Sequence, residues 1–237
     1  LAPQVEVLFT MLADPAAVEA VAIGPDGFLD HMEEDAIWVD CSTVNPSFSR
    51  KMAEAARERG VHLVEAPVAG TRGPAEAGTL QVFASGDIAA VETCAPLFEI
   101  IGRGYTYMGD SGNAASMKMV VNLLLGQAMV AFSEALVLGQ SLGLDRAMLL
   151  DALIGGPVAA PFVKGKRLKI EQADYGADFP LRLMRKDLHL AAASGYEQGV
   201  ALPAANAAKE IYALAEQSGL GDQDFSAVYK FLNGEAA

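Results

Sequence analysis

Cysteine is scarce in this sequence: Cys41 and Cys94 stand in dissimilar surroundings, with no CxxC spacing. That excludes a disulfide framework and leads us to expect a reduced, cytoplasmic protein. Histidine is nearly as rare, and His31, His62 and His189 are too scattered to form a ligand pattern, so no metal site is expected. Basic residues are outnumbered, 17 Lys and Arg against 30 Asp and Glu, for a net charge of -13. A phosphate backbone or an anionic membrane surface would be repelled, and neither is an expected partner. The most apolar stretch, 119–133, is broken by Asn122 and Gln127 and flanked by Lys118 and Glu134. It falls short of the roughly 18 uninterrupted apolar residues of a membrane span, so a buried core or interface helix is expected. A GxGxxG turn is missing throughout, and no basic, apolar leader precedes the first strand pattern.

What is present is ample for a core: 237 residues, 52% hydrophobic and 20% charged. In the first half, apolar runs at 5–12, 36–43, 61–68 and 79–86 read as strands. Helical stretches at 14–24, 46–59 and from about 87 alternate with them. That alternation predicts an α/β fold, a doubly wound parallel sheet, with ligands at the carboxyl ends of its strands. The texture changes at Gly112. A proline-free helical pattern runs from 113 to about 142, roughly 45 Å at 1.5 Å per residue. Further helices are expected at 145–154, 180–198, 203–217 and 223–233. The chain thus divides into an α/β part, 1–112, and an all-helical part, 113–237.

Three segments carry the chemistry. In GDSGNAASMKMVVN (109–122), glycines lead into a helix that presents Lys118 and Asn122 four residues apart on one face. The positive end of the helix macrodipole disfavours an ammonium there and should lower its pKa, which suits a general acid for a carbonyl oxygen. On the helix alone, a solvated first-turn lysine remains the alternative. In EAPVAGTRGPAEAGTL (65–80), Gly70 allows backbone N–H groups to converge on an anion such as a substrate carboxylate, with the Thr71 hydroxyl as a further donor. An ordinary Gly/Pro surface loop is the alternative. In FPLRLMRKD (179–187), cations open a helix, a pattern that is more often solvated than functional.

With GLGDQDFSAV (219–228), these segments resemble the β-hydroxyacid dehydrogenases, the 3-hydroxyisobutyrate dehydrogenase family. The GTRGPAE form and the DFSAV ending look most similar to the glyoxylate and succinic semialdehyde reductase branch. The likeness runs from about Val5 to Val228. It implies a Rossmann-type NAD(P)-binding domain, partial over 1–112, and a helical substrate and oligomerisation domain over 113–237, with the active site between them. It implies an oxidoreductase that transfers a hydride between NADPH or NADH, NADP being favoured by the branch, and a small carboxylate-bearing aldehyde. Lys118 falls on the family's catalytic lysine. Asn122 falls on its substrate-contacting asparagine, and Ala69, Gly70 and Thr71 on the carboxylate loop. Met11, Leu12, Thr43 and Lys186 fall on cofactor contacts.

Two departures matter. Relatives commonly carry Ser-Gly-Gly where this chain has Ala69-Gly70-Thr71, so carboxylate binding must lean on backbone N–H groups and Thr71. The glycine-rich turn that grips a pyrophosphate is also absent, and the first residue is Leu1. The numbering is therefore expected to begin inside a longer protein, and residues 1–237 alone to hold NAD(P)H weakly. Readings that compete are a 3-hydroxyisobutyrate or tartronate semialdehyde dehydrogenase and a non-catalytic scaffold member. An imine reductase of the same fold, with its lysine replaced, is disfavoured by Lys118. Apolar helices in 113–237 carry more surface than a small domain leaves bare, so a homodimer or homotetramer is expected.

Overall fold

The computed structural model describes residues 2–235. The chain forms two compact units, Leu1–Val121 and Asn122–Ala237. In the first, strands β1 (Val7–Thr10), β2 (Ile37–Asp40) and β3 (His62–Glu65) run parallel in that order, joined by helices α1 (Pro15–Ile23) and α2 (Pro46–Arg57). Each helix starts where the sequence supplies a proline at its first position, and the Asp14 side chain caps α1 through the Ala17 N–H.

After β3 the sheet departs from the expected all-parallel pattern. The apolar run 61–68 is interrupted at Ala66-Pro67, where proline has no N–H to give, and resumes as β4 (Val68–Ala69). The chain then turns through the short helix α3 (Arg72–Glu76) and returns as β5 (Leu80–Gly86), antiparallel to both β3 and β4. The 70–79 segment acts as a hairpin connection, whereas a parallel return needs a crossover across the sheet. Helix α4 (Ile88–Ile101) then leads to β6 (Gly102–Tyr107), parallel to β5. This strand was not anticipated, because GRGYTY has little apolar content. The sheet is mixed, with six strands.

Period-two alternation sends side chains to both faces. Ile37, Val39, Cys41 and Val64 pack with Val91, Cys94 and Phe98 of α4 on one side. Trp38 and Leu63 pack with Val18 and Ala22 of α1 and Met52 and Ala56 of α2 on the other. Burial on both faces is what a doubly wound sheet requires, and it leaves the strand ends free for a ligand.

Helix α5 (Asn113–Ser141) belongs to both units, which divide within it. Among the described residues it is the one helix long and apolar enough to cross a membrane by length and composition. Asn122 and Ser133 are nevertheless buried in it, and Met129, Val130, Phe132 and Leu136 enter the core of the second unit. That core also takes Leu150 of α6 (Arg146–Gly155), Ile170 of α7 (Arg167–Gln172), and Leu181, Met184 and Leu188 of α8 (Leu181–Glu197). Tyr212 of α9 (Pro203–Ala215) and Tyr229 of α10 (Val228–Leu232) complete it. Gly126 lets α5 and α8 approach closely, since a Cβ there would lie 2.8 Å from Met184 Sδ. The helix expected over 223–233 is a 3₁₀ turn followed by α10.

Asp224 organises the second unit. Its Oδ2 accepts from Lys166 Nζ at 2.9 Å and from the Asp178 and Phe179 N–H groups, while Oδ1 accepts from the Ser226 N–H and hydroxyl. Lys166 also lies 4.7 Å from the centroid of the Phe225 ring. Burial alone pushes the Asp224 carboxyl up, but Lys166 and the Ser226 hydrogen bonds outweigh it and leave the pKa below the ordinary carboxylate value. Removing one member of such a pair strands the other. Asp224→Ala should therefore cost about 3–5 kcal/mol in chemical denaturation of the second unit. Because the folded pKa is depressed, the Asp224 contribution is present above the unfolded value of about 4 and is lost as pH falls through the folded one. The wild-type stability advantage over Asp224→Ala should shrink on acidification below about pH 4, and an advantage that grew there would contradict the assignment.

Candidate active site

The carboxyl ends of β1 and β2 are stitched together by buried polar groups. Thr10 Oγ1 donates to Asp40 Oδ1 at 2.8 Å and accepts from Trp38 Nε1 at 2.7 Å. The Ser42 N–H donates to Asp40 Oδ1, and Ser42 Oγ accepts from the Leu12 N–H at 2.8 Å. Burial raises the Asp40 carboxyl above its ordinary value, although hydrogen bonds from Ser42 and Thr10 oppose the shift. Beside this network Met11 is exposed, while Leu12 and Thr43 are half-buried. The ends of two adjacent parallel strands thus carry an apolar surface and a hydroxyl at the edge where sheets of this kind bind ligands. Cys41 sits beneath, its thiol pushed up to about 12 by burial, so it is no nucleophile at neutral pH.

β3 ends at Glu65, whose buried carboxylate was not singled out from the sequence. Oε1 accepts from the Gly112 N–H, and Oε2 accepts from the Ser85 hydroxyl at 2.8 Å and the Ala115 N–H at 3.3 Å. Ser85 Oγ in turn accepts from the Ala114 N–H at 3.1 Å. Gly112 has φ +95, a backbone conformation that side-chain-bearing residues rarely adopt, and it packs against the Arg50 side chain. The expectation for Lys118 counted the positive end of the helix dipole; a carboxylate now sits at that same end. Lys118 itself is 9% exposed, which removes the solvated-lysine alternative.

The loop after β3 is ordered around Gly70. Its φ is +134, and a Cβ would lie 2.7 Å from Leu80 Cδ2, so the backbone conformation demands glycine. Ala69 pairs with Gln81 across β4 and β5, and Thr71 opens α3 with its side chain uncommitted to capping. Ala69 and Thr71 are half-buried and Gly70 is exposed.

In the second unit, Asn122 Nδ2 donates to Asp187 Oδ2 at 2.6 Å, both residues being buried. Lys186 Nζ lies 2.8 Å from Asp187 Oδ1. Asp187 therefore organises two of the residues expected to serve the site, Asn122 and Lys186. The KD dipeptide was its signal in the sequence, but the Asn122 pairing, 65 positions away, was not legible there. Among the described residues, no group of three or more His, Cys, Asp or Glu side chains could hold a metal ion.

These features match known proteins along nearly the whole chain. Residues 1–109 match the NAD-binding domain of 6-phosphogluconate dehydrogenase, and residues 112–232 the NAD-binding domain of NADP-dependent 3-hydroxyisobutyrate dehydrogenase. Glyoxylate/succinic semialdehyde reductase 1 of Arabidopsis thaliana is 42% identical over 218 residues, 92% of this chain and 75% of the reductase. The human cytokine-like nuclear factor N-PAC is 35% identical over 225 residues, 95% of this chain and 41% of that longer protein. Among solved structures, 3-hydroxyisobutyrate dehydrogenase of Mycobacterium tuberculosis with L-serine superposes with a TM-score of 0.86 at 27% identity, covering 98% of this chain and 80% of that one. The chain belongs to the 3-hydroxyisobutyrate dehydrogenase family of NAD(P)-dependent hydroxyacid oxidoreductases.

Proposed function

We propose that the protein reduces a small carboxylate-bearing aldehyde, glyoxylate or succinic semialdehyde, to the hydroxy acid, with Lys118 as proton donor. The observation that carries this reading is the burial of Lys118 on the first turns of α5, whose start is fastened to the carboxyl end of the sheet. A lysine withdrawn from water beside the ligand edge of an α/β sheet is suited to acid–base work on a carbonyl. The 42% identity to a glyoxylate/succinic semialdehyde reductase supports the substrate class.

The division of labour follows from the residues. Residues 1–112 form the cofactor-binding part, where Met11, Leu12 and Thr43 would contact the dinucleotide; Lys186 is a further cofactor contact by family resemblance. The nicotinamide supplies the hydride when bound. Backbone N–H groups at Gly70 and Thr71 hold the substrate carboxylate and so fix the aldehyde's orientation, while Ala69, paired with Gln81, anchors the loop to the sheet. Asn122, its amide nitrogen held by Asp187, falls on the family's substrate-contacting asparagine. Lys118 stabilises the negative charge that develops on the carbonyl oxygen and gives up its proton there; in the oxidative direction its neutral amine takes the proton back. The loop lacks the hydroxyl that a serine at Ala69 would add, so Thr71 is the one side-chain donor it offers. NADP is the cofactor favoured by the branch resemblance, and buried reduced cysteines suit a cytoplasmic enzyme.

A non-catalytic role has one observation in its favour, the likeness to a nuclear factor. Turnover separates the two readings. Lys118→Ala should lower kcat at least about a hundredfold, with the dissociation constant of NAD(P)H little changed. Near wild-type turnover in that variant would remove Lys118 from the mechanism, and no turnover by the wild type across an aldehyde panel would favour the non-catalytic role.

We also propose that residues 113–237 build a homodimer or homotetramer. Leu124, Leu138, Leu142, Met148, Val158 and Leu168 are all more than half exposed in the second unit, more apolar surface than a small monomeric domain leaves in water. Light scattering at micromolar concentration should give a dimer or tetramer, and a monomer would refute the assignment.

A further inference from the structure

All four N–H groups that α5 cannot satisfy internally have acceptors. Those of Gly112 and Ala115 go to Glu65, that of Ala114 goes to Ser85, and that of Asn113 goes to the Asp110 carbonyl. Two of the three acceptor residues are not neighbours in sequence; they come from β3 and β5. Glu65 and Ser85 are direct cross-strand partners in the antiparallel pairing of those strands. The register of the sheet therefore fixes both where α5 begins and how it is rotated about its axis.

A local cap would be the ordinary solution, but Gly112 has no side chain, and Arg50 occupies the space where one would project. The cap instead comes from a carboxylate only 3% exposed, which is costly to bury and is stabilised by three donors aimed at it. Lys118 follows Ala115 by three residues, about 4.5 Å along the axis. Its amine inherits whatever position the cap imposes on the first turn.

We propose that Glu65, with Ser85 as its hydrogen-bonded partner, is the positioning residue for Lys118. The carboxylate does not touch the reacting atoms. It holds the helix start against the sheet so that the amine is presented at a fixed place and angle to a carbonyl bound at the strand ends. The inference rests on the reading of Lys118 as proton donor. A misplacement of about 1 Å in a catalytic group can cost on the order of a hundredfold in rate, so a loosened cap is felt first in kcat.

The test uses the full-length enzyme with saturating NADPH and glyoxylate or succinic semialdehyde, comparing Glu65→Gln, Ser85→Ala, Lys118→Ala and the double variant Glu65→Gln/Lys118→Ala. Glutamine keeps the size of the side chain, but its amide nitrogen cannot accept, so one donor of the first turn loses its acceptor. Glu65→Gln should lower kcat at least about tenfold, with KM and the cofactor dissociation constant within about threefold. Amide exchange at 112–116 should be faster. The double variant should be no slower than Lys118→Ala, because a residue acting through Lys118 has nothing left to position. Where Glu65→Gln fails to fold, Ser85→Ala carries the same test with a smaller effect. A folded Glu65→Gln with kcat within about twofold of wild type would overturn the proposal, as would a double variant slower than Lys118→Ala by the full single-variant factor. Normal turnover by Lys118→Ala would instead refute the proton-donor reading. Exchange at 112–116 then decides whether Glu65 orders the helix start at all, and unchanged exchange there overturns the positioning claim.

Discussion

A buried carboxylate holding a helix start to the end of a sheet is the constraint on which the rest of this structure depends. Glu65 gathers the amides of Gly112 and Ala115, and its strand partner Ser85 takes that of Ala114. The helix so anchored is 29 residues long and supplies Lys118 to one unit and Asn122 to the other. A helix whose first turn frayed would lose the position of Lys118, whereas Asn122, further along, is held by Asp187. Gly112 belongs to the same constraint, since its positive φ, which favours glycine, turns its N–H toward the carboxylate.

The second unit also has a buried carboxylate at its centre, with a lysine as its charged partner. Asp224, also buried, collects Lys166 and the backbone of Asp178 and Phe179 immediately before α8 begins. α8 then carries Asp187, which holds Asn122. Asp224 thus fixes the segment that leads into α8, while the first amides of α8 itself go to the Gln223 and Gly221 carbonyls. Strand ends and helix starts are where unsatisfied backbone groups accumulate, and a buried acceptor there removes the freedom that a solvated loop would leave.

Much of the fold was legible in the sequence because its elements are strongly patterned. The runs 5–12, 36–43 and 79–86 alternate or cluster apolar residues so plainly that strands follow, and Gly112 marks the change to helix. The antiparallel return of β5 was not legible, since nothing in the run 61–68 or the segment 70–79 sets the direction in which the next strand pairs. β6 escaped because GRGYTY is held by its pairing with β5 more than by its own composition. The helix that carries Lys118 and the turn at Gly70 were readable from local motif, and the positive φ of Gly70 is the physical reason that glycine stands there. Glu65 was not readable, because its partners lie 47 and 50 residues away and depend on the register of two strands. The Asn122–Asp187 pair was hidden for the same reason.

The central claim is that Lys118 delivers the proton as the hydride reaches the aldehyde. Single-turnover oxidation of 4-deuterated and unlabelled NADPH, followed by absorbance with wild type and Lys118→Met, observes that step apart from binding and product release. The account predicts that the chemical step in Lys118→Met is slower by at least about a hundredfold while NADPH still binds. An unchanged single-turnover rate in the variant, with the deuterium isotope effect intact, would contradict it.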